Sequence, residues 1–328
     1  MNTLHVSIVI TAWNEAHAIG GCLAALAAQQ GIDRQAREII VVDDRSDDGT
    51  GDVVAASGLA GLRPIRNDAL PPQGVMTARQ HALDIGFRAA RAPIIVTLDA
   101  DAVVPPDFVV RLIEPIEAER ADMVAGAVAF SDGSIGALQS VDAAYYLAVC
   151  RLLNRLSLDG GVLFGACAFR AALYRAAGGF ARIGMTLTED LAFSRAARKA
   201  GARLAYMPRP VATVRAATSL SALVTRAKRI SAAPMGPLAY ALGGWMALLV
   251  LAAIGAIVFG GGFWMTALAL RYLAGAMFAA RAIATVSGLR HVPLALIYEP
   301  LATAIGLGVA VTLVRGRRVD WGGMAYDR

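Results

Sequence analysis

The sequence predicts an α/β fold, a mostly parallel sheet with flanking helices, followed by transmembrane helices. Three observations predict it. Short runs of β-branched residues alternate with stretches of helical period through the first hundred residues or so. Several of these runs end in acidic residues. Residues 234–314 are mostly apolar, with Arg271, Arg281, Arg290 and Glu299 as charged exceptions. Hydrophobic residues make up 57% of the chain and charged ones 17%, below the usual quarter, and the shortfall falls in that last stretch.

Val6–Thr11 (VSIVIT) reads as the first strand, 12–15 as a loop, and Ala18–Gln30 as a helix. Glu38–Val42 is a second strand that runs into the acidic loop DDRSDDGT, residues 43–50. Asp52–Ser57 begins a helix, Leu62–Ile65 is a short strand, and Thr77–Ala90 is helical. Ile94–Leu98 is a buried strand ending in Asp99-Ala100-Asp101. Strands joined through helices imply right-handed crossovers. Two carboxylates one residue apart at a strand's carboxyl end can converge on a divalent cation, Mg²⁺ or Mn²⁺, that also binds phosphates. The same residues are compatible with a plain acidic turn. At Asp43 and Asp44, turn-making and capping compete with hydrogen bonding to a base or ribose. No GxGxxG or GxxxxGKS/T occurs, which argues against a dinucleotide oxidoreductase or a P-loop NTPase.

The net charge is +6. Arg226, Lys228 and Arg229 precede the apolar region, and Arg315, Arg317 and Arg318 follow it, a pattern suited to anionic lipid headgroups. No nucleic-acid motif accompanies the charge, so no nucleic-acid partner is expected. Cys22, Cys150 and Cys167 form no CxxC and read as buried thiols in a reducing compartment. No signal peptide is evident, so the polar part is expected in the cytoplasm.

VSIVITAWNEA, VVDDRSDDGT and IIVTLDAD, in this order and spacing, resemble the family-2 glycosyltransferases with the GT-A fold. GGFARIGMTLTEDLAFSRAARKAGARLAYMP resembles that family's acceptor-side segment, and the likeness extends over residues 5–230. The resemblance implies that Thr11, Ala12, Trp13 and Glu15 line a nucleotide pocket, with Ala12 and Trp13 where Pro and Tyr are usual. It implies that Asp44 contacts the base, with Asp43 beside it. GVMTARQHAL resembles a helix start that brings Arg79 to the donor phosphates, with Gln80 in place of the usual Asn. Asp99 would then contact ribose or sugar, and Asp101, with Asp99, would hold the metal on the diphosphate. Thr188-Glu189-Asp190 resembles the family's TED motif, whose last residue is the general base. Taken alone, Glu189 and Asp190 also read as acids favoured at the start of a helix over Leu191–Ala200. GGVLFGACAFR, residues 160–170, resembles the segment bordering sugar and acceptor, and close packing of a strand on a helix explains its small residues equally well.

Leu220–Ser231 has an apolar face and a cationic one, suited to a membrane interface. In position it resembles the family's QxxRW segment, with Arg226 for Gln and Ile230 for Trp, so Arg226 and Arg229 are candidates to reach the diphosphate. The missing Trp counts against a processive polymer synthase. Leu238–Phe259 and Leu294–Val314 are each long enough to span a bilayer, and Phe263–Ala280 is a third candidate interrupted by Arg271. Three spans would strand Arg315–Arg318 outside, and two would place Arg271, Arg281 and Arg290 there. VDWGGMAY, residues 319–326, resembles the W-x-G-R-x-Y tail of ceramide-, carotenoid- and hopanoid-directed members.

The expected organisation is a cytoplasmic GT-A domain over 1–217, an amphipathic helix over 218–236, two or three transmembrane helices over 237–314, and a basic tail over 315–328. The expected protein is a multi-pass inner-membrane enzyme. It would be an inverting glycosyltransferase that moves a sugar from a nucleotide-diphosphate sugar, UDP-linked by preference, to a membrane lipid. The alternatives are a cellulose-synthase-like polysaccharide synthase and a catalytically inactive nucleotide-sugar-binding membrane protein.

Overall fold

Strand–helix alternation builds the first half of the molecule, and long apolar helices build much of the rest. The computed structural model describes residues 4–158, 160–231, 236–315, 318–321 and 324–327. Arg317 and Gly323 of the tail lie outside them. In chain order the elements are β1 (Val6–Ala12), α1 (Ile19–Ala27), β2 (Arg37–Asp44), α2 (Thr50–Ala56), β3 (Leu62–Asn67), α3 (Ala78–Ala89), β4 (Ile94–Asp99), α4 (Phe108–Glu117), β5 (Met123–Phe130) and α5 (Ser134–Arg155). There follow β6 (Ala166–Arg170), α6 (Ala171–Ala177), α7 (Gly179–Ile183), α8 (Glu189–Lys199), β7 (Leu204–Val214), α9 (Leu220–Ser231), α10 (Pro237–Phe259), α11 (Gly261–Val286), α12 (Ala295–Arg315), β8 (Arg318–Trp321) and β9 (Met324–Asp327). Two short 3-10 turns, Arg34–Ala36 and Leu289–Leu294, complete the list.

Contacts divide the chain into two interleaved units. The first comprises Met1–Val128, Gly161–Arg215 and Asp320–Tyr326; the second comprises Ala129–Gly160, Ala216–Val319 and the last two residues.

The first unit holds a seven-stranded sheet of order β3-β2-β1-β4-β6-β5-β7. β1 pairs in parallel with β2 and β4, and β2 with β3; β6 runs antiparallel to β4 and β5. The central strands are buried along both faces, which is why VSIVI and EIIVV are near-continuous apolar runs rather than alternating ones. α3 packs closely on this sheet: a Cβ on Gly86 would lie 2.4 Å from Val9 Cγ1. Phe87, Phe164, Phe169, Tyr174, Phe180 and Phe193 form one buried aromatic cluster, several rings meeting edge to face. The cluster joins α3 to β6, α6, α7 and α8. Each such ring is worth about 3–5 kcal/mol against truncation.

The second unit packs α11 against α5, α10 and α12, and α12 against α9. Arg271, expected to be costly in mid-span, is paired. Its guanidinium donates to Glu299 at 2.6 Å and to the Trp245 carbonyl, and lies over the Trp245 ring at 3.6 Å. Glu299 also accepts from Trp245 Nε1 and Tyr145 OH, both at 2.7 Å. Among the described residues three helical stretches, Ala239–Phe259, Gly261–Val286 and Leu289–Ala310, are long and apolar enough to cross a membrane. α9 occupies the expected Leu220–Ser231, with Leu220, Val224 and Ile230 exposed.

Several boundaries differ from expectation. β2 runs on through Asp43 and Asp44, because Asp43 pairs in register with Arg66 and Asp44 with Asn67. α8 begins at Glu189, two residues early, so both acids lie in its first turn. α11 extends to Val286, six residues beyond the expected stretch, its end buried through Ala282, Ile283 and Val286. All three cysteines are buried and none forms a disulfide, as expected.

Candidate active site

The carboxyl ends of β1, β2 and β4 come together at the point where strand order reverses, the place where open α/β sheets bind ligands. Register sets Thr11 beside Asp99 and Ala12 beside Asp43. The β1 loop is stitched to the β2 loop. Backbone N–H groups of Asn14, Glu15 and Ala16 donate to the side chains of Ser46, Thr50 and Asp48, and Asp47 N–H returns to Asn14 Oδ1. Asn14 and Arg45 both take left-handed backbone conformations, with φ of 55° and 59°. Trp13 is left 41% exposed at the rim.

Asp43 and Asp44 are both buried but held differently. Asp44 accepts from Arg45 at 2.7 and 3.1 Å and from Asn67 Nδ2 at 2.7 Å. Asp43 accepts from Arg66 through Oδ2 at 2.7 Å, while its buried Oδ1 has no hydrogen-bond partner. Asp43 therefore keeps an unpaired acceptor, shielded from solvent.

Arg79 joins the two acidic motifs. Its Nη2 donates to Asp99 Oδ1 at 2.6 Å and its Nε to Glu189 Oε1 at 2.8 Å. Burial opposes its charge, but Asp99 and Glu189 outweigh burial and hold the guanidinium firmly protonated. α3 is aimed by a reciprocal cap: Thr77 Oγ1 accepts from Gln80 N–H, and Gln80 Oε1 accepts from Thr77 N–H. Gln80 also donates to the Gly184 carbonyl and accepts from Thr186 N–H, which ties α3 to the loop leading into α8. In that helix's first turn Glu189 is buried against Arg79, and Asp190 is half-buried with Oδ1 on its neighbour's Leu191 N–H. Gly165 closes the far side, where a Cβ would lie 2.7 Å from Asp99 Oδ2.

Negative charge accumulates here. Burial, then Asp101 and Asp99, push Glu15 up to about 7. Burial and Asp99 likewise raise Asp101, whose Oδ2 accepts from Arg215 N–H at 2.9 Å. Mutually repelling carboxylates with hard oxygen donors fit a divalent cation such as Mg²⁺ or Mn²⁺. Among the described residues no three His, Cys, Asp or Glu side chains form a protein-only cage, so phosphate and water oxygens would complete the coordination.

The structure thus gathers Thr11, Ala12, Trp13, Glu15, Asp43, Asp44, Arg79, Asp99, Asp101, Glu189 and Asp190 within the first unit. Arg226 and Arg229 belong to α9 in the second unit, where Arg226 lies over the Phe130 ring at 4.8 Å. Sequence reasoning gave no site role to Ser46, Asp48, Thr50, Arg66 or Asn67. They fix the strand-end loops and acids; for the first three the dense run of small polar residues in RSDDGT was the available signal.

The model of glycosyl transferase family 2 matches residues 7–178, and that of glycosyl transferase family group 2 matches 94–310. An undecaprenyl-phosphate 4-deoxy-4-formamido-L-arabinose transferase of Aeromonas hydrophila is 32% identical over 114 residues, 33% of this chain and 32% of that protein. The succinoglycan biosynthesis protein ExoO of Rhizobium meliloti is 35% identical over 118 residues, 36% of this chain and 31% of that protein. The chain thus spans about a third of the length of these relatives. A solved mannosyltransferase, PcManGT of Pyrobaculum calidifontis, in complex with GDP-Man and Mn²⁺, superposes with a TM-score of 0.57 at 18% identity, over 95% of this chain and 87% of that one. That likeness establishes the shared fold.

Proposed function

The chain belongs to glycosyl transferase family 2, and from that premise we propose that it is an inverting, membrane-anchored enzyme that moves a sugar from a nucleotide-diphosphate sugar, UDP-linked by preference, to a lipid acceptor. The observation that carries this is Arg79, whose guanidinium binds Asp99 on β4 and Glu189 on α8 together. A donor diphosphate and a proton-accepting carboxylate then share one pocket.

The chemistry follows from the residues. Thr11, Ala12, Trp13 and the pair Asp43 and Asp44 line the nucleoside side, with Asp44 fixed by Arg45 and Asn67 and one Asp43 oxygen unpaired. Asp190 accepts the proton of the acceptor hydroxyl as that oxygen attacks the anomeric carbon. The bond from that carbon to the diphosphate breaks in the same displacement, so configuration inverts. Arg79 meets the charge that develops on the departing diphosphate. A divalent cation on Asp101 and Asp99 supplies further neutralisation of that charge when bound. In this proposal the basic face of α9, with Arg226 and Arg229, meets anionic headgroups at the cytoplasmic surface of the inner membrane.

A lipid acceptor is favoured by the apolar helices that follow the catalytic segment and by the undecaprenyl-phosphate-named relative. The ExoO relative keeps polysaccharide synthesis as the competing outcome. The test is donor turnover in native-like membranes with a panel of UDP- and GDP-sugars, Mg²⁺ or Mn²⁺, and lipid extract. We expect metal-dependent label in the organic phase. Asp190→Asn should lower it by about 10²–10⁴-fold while donor binding is kept, and Asp101→Ala should abolish the metal dependence. Label in an insoluble polymer would favour the synthase. Donor binding without transfer, indifferent to Asp190→Asn, would leave a binding protein.

A further inference from the structure

Tyr326 and Ala78 are 248 residues apart in sequence, yet the Ala78 N–H donates to the Tyr326 hydroxyl at 3.0 Å. Both residues are buried, at 7% and 3% exposure, and both belong to the first unit. Ala78 is the first residue of α3. A helix start leaves four N–H groups without intrahelical partners, and a buried one must be satisfied from elsewhere. The reciprocal Thr77–Gln80 cap accounts for the N–H groups of Thr77 and Gln80. The Ala78 N–H, shielded from water, is satisfied by strand β9 of the C-terminal hairpin. The next residue is Arg79, on which Asp99 and Glu189 converge. The charged neighbours of the Tyr326 hydroxyl are Arg45, Asp44 and Glu189, drawn from both sides of the pocket.

We propose that Tyr326 is a positioning residue for donor binding: its hydroxyl completes the cap of α3 and so fixes the turn from which Arg79 reaches Asp99 and Glu189. The inference rests on the donor-site assignment above. Phe at 326 would keep the ring and its packing and would remove only the acceptor oxygen. A structural prop would lose stability on that change; a positioning residue loses order at the α3 start and affinity at Arg79.

The test uses the full-length chain in lipid nanodiscs as wild type, Tyr326→Phe, Arg79→Ala and the double variant. Hydrogen exchange of the amides at 78–81 is read without ligand, and binding of UDP and of GDP is read with Mn²⁺. Tyr326→Phe should speed exchange at the α3 start while the β1 and β4 amides keep their protection. It should weaken nucleotide binding by about tenfold in the wild-type background and leave binding unchanged when Arg79 is already Ala, as expected of coupled residues. Unchanged exchange at 78–81 would overturn the inference. So would unchanged nucleotide binding, or equal weakening in both backgrounds, and each of these leaves the proposed function standing. Failure of the wild type to bind either nucleotide would overturn the donor site and the positioning role with it, whereas altered exchange would still report the cap itself.

Discussion

Gly165 leaves no spare volume beside Asp99. A methyl group there would meet a carboxylate already pinned by Arg79, so Gly165→Ala has to displace the acid or the strand end. Turnover should fall by about tenfold or more, since sub-ångström misplacement at a reacting site is costly; a steady-state assay beside a thermal melt checks it. The paired acids at the head of α8 should separate by role. Glu189→Gln loosens Arg79 and should raise the donor KM, whereas Asp190→Asn should lower kcat with KM little changed. The acids themselves were legible through the resemblance of their motifs, since taken alone they also read as turn and cap residues. The duty of Gly165 was not. It depends on the antiparallel register that sets Leu98 opposite Ala166, and nothing within GGVLFGACAFR encodes that pairing.

At the scale of elements, the carboxylate of Asp122 holds strand ends together. It accepts from the Arg203 side chain and backbone and from Arg170, joining the start of β5 to the end of β6 and to the approach to β7. Arg203 is the main cause of its depressed pKa, which lies well below the ordinary aspartate value of about 3.9. A carboxylate held low stabilises the fold fully above its unfolded value and loses that contribution as pH falls toward its folded value. Wild type should therefore lose thermal stability as pH drops below about 4, and Asp122→Asn should be less stable at neutral pH and show a flatter decline. Melting curves from pH 7 to 3 decide this. β1, β2 and β4 were legible as short apolar, β-branched runs, and α9 from its helical period. α5 was not recognised, because its sequence mixes apolar residues with Asp142, Arg151 and Arg155, and its buried face is matched by α11 and α12, far along the chain.

Across the whole molecule, the interleaving decides what can be cut away. α5 belongs with the apolar helices although it lies in sequence between β5 and β6. A chain ending at Ala217, the boundary expected from hydropathy, would leave α5 without α11 and α12. It should be recovered aggregated or binding a hydrophobic dye, whereas the full chain in detergent should be monodisperse. Within the apolar unit, Glu299→Ala should cost about 3–5 kcal/mol by stranding buried Arg271, and replacing both by residues of similar shape should cost much less; unfolding in detergent measures both. Asp320–Tyr326, the greater part of the hairpin near the C-terminus, belongs to the same unit as the sheet. We expect the sheet and the hairpin to lie on one side of the bilayer, with an even number of crossings between them. Cysteines introduced singly at Asp68 and Asp327 should label from the same face with an impermeant maleimide. Labelling from opposite faces would refute the parity.

The bond between Tyr326 and Ala78 also has a temporal meaning. Synthesis proceeds at about 5–20 residues per second, so the Ala78 amide waits on the order of ten to fifty seconds for its acceptor to be made. During that interval β1 to β4 can pair and α10 and α11 can enter the bilayer. Until β9 arrives, the start of α3 has its Thr77–Gln80 cap but lacks the acceptor for the Ala78 N–H. The acceptor for the Ala78 N–H is thereby made only after the apolar helices that precede Tyr326 in sequence.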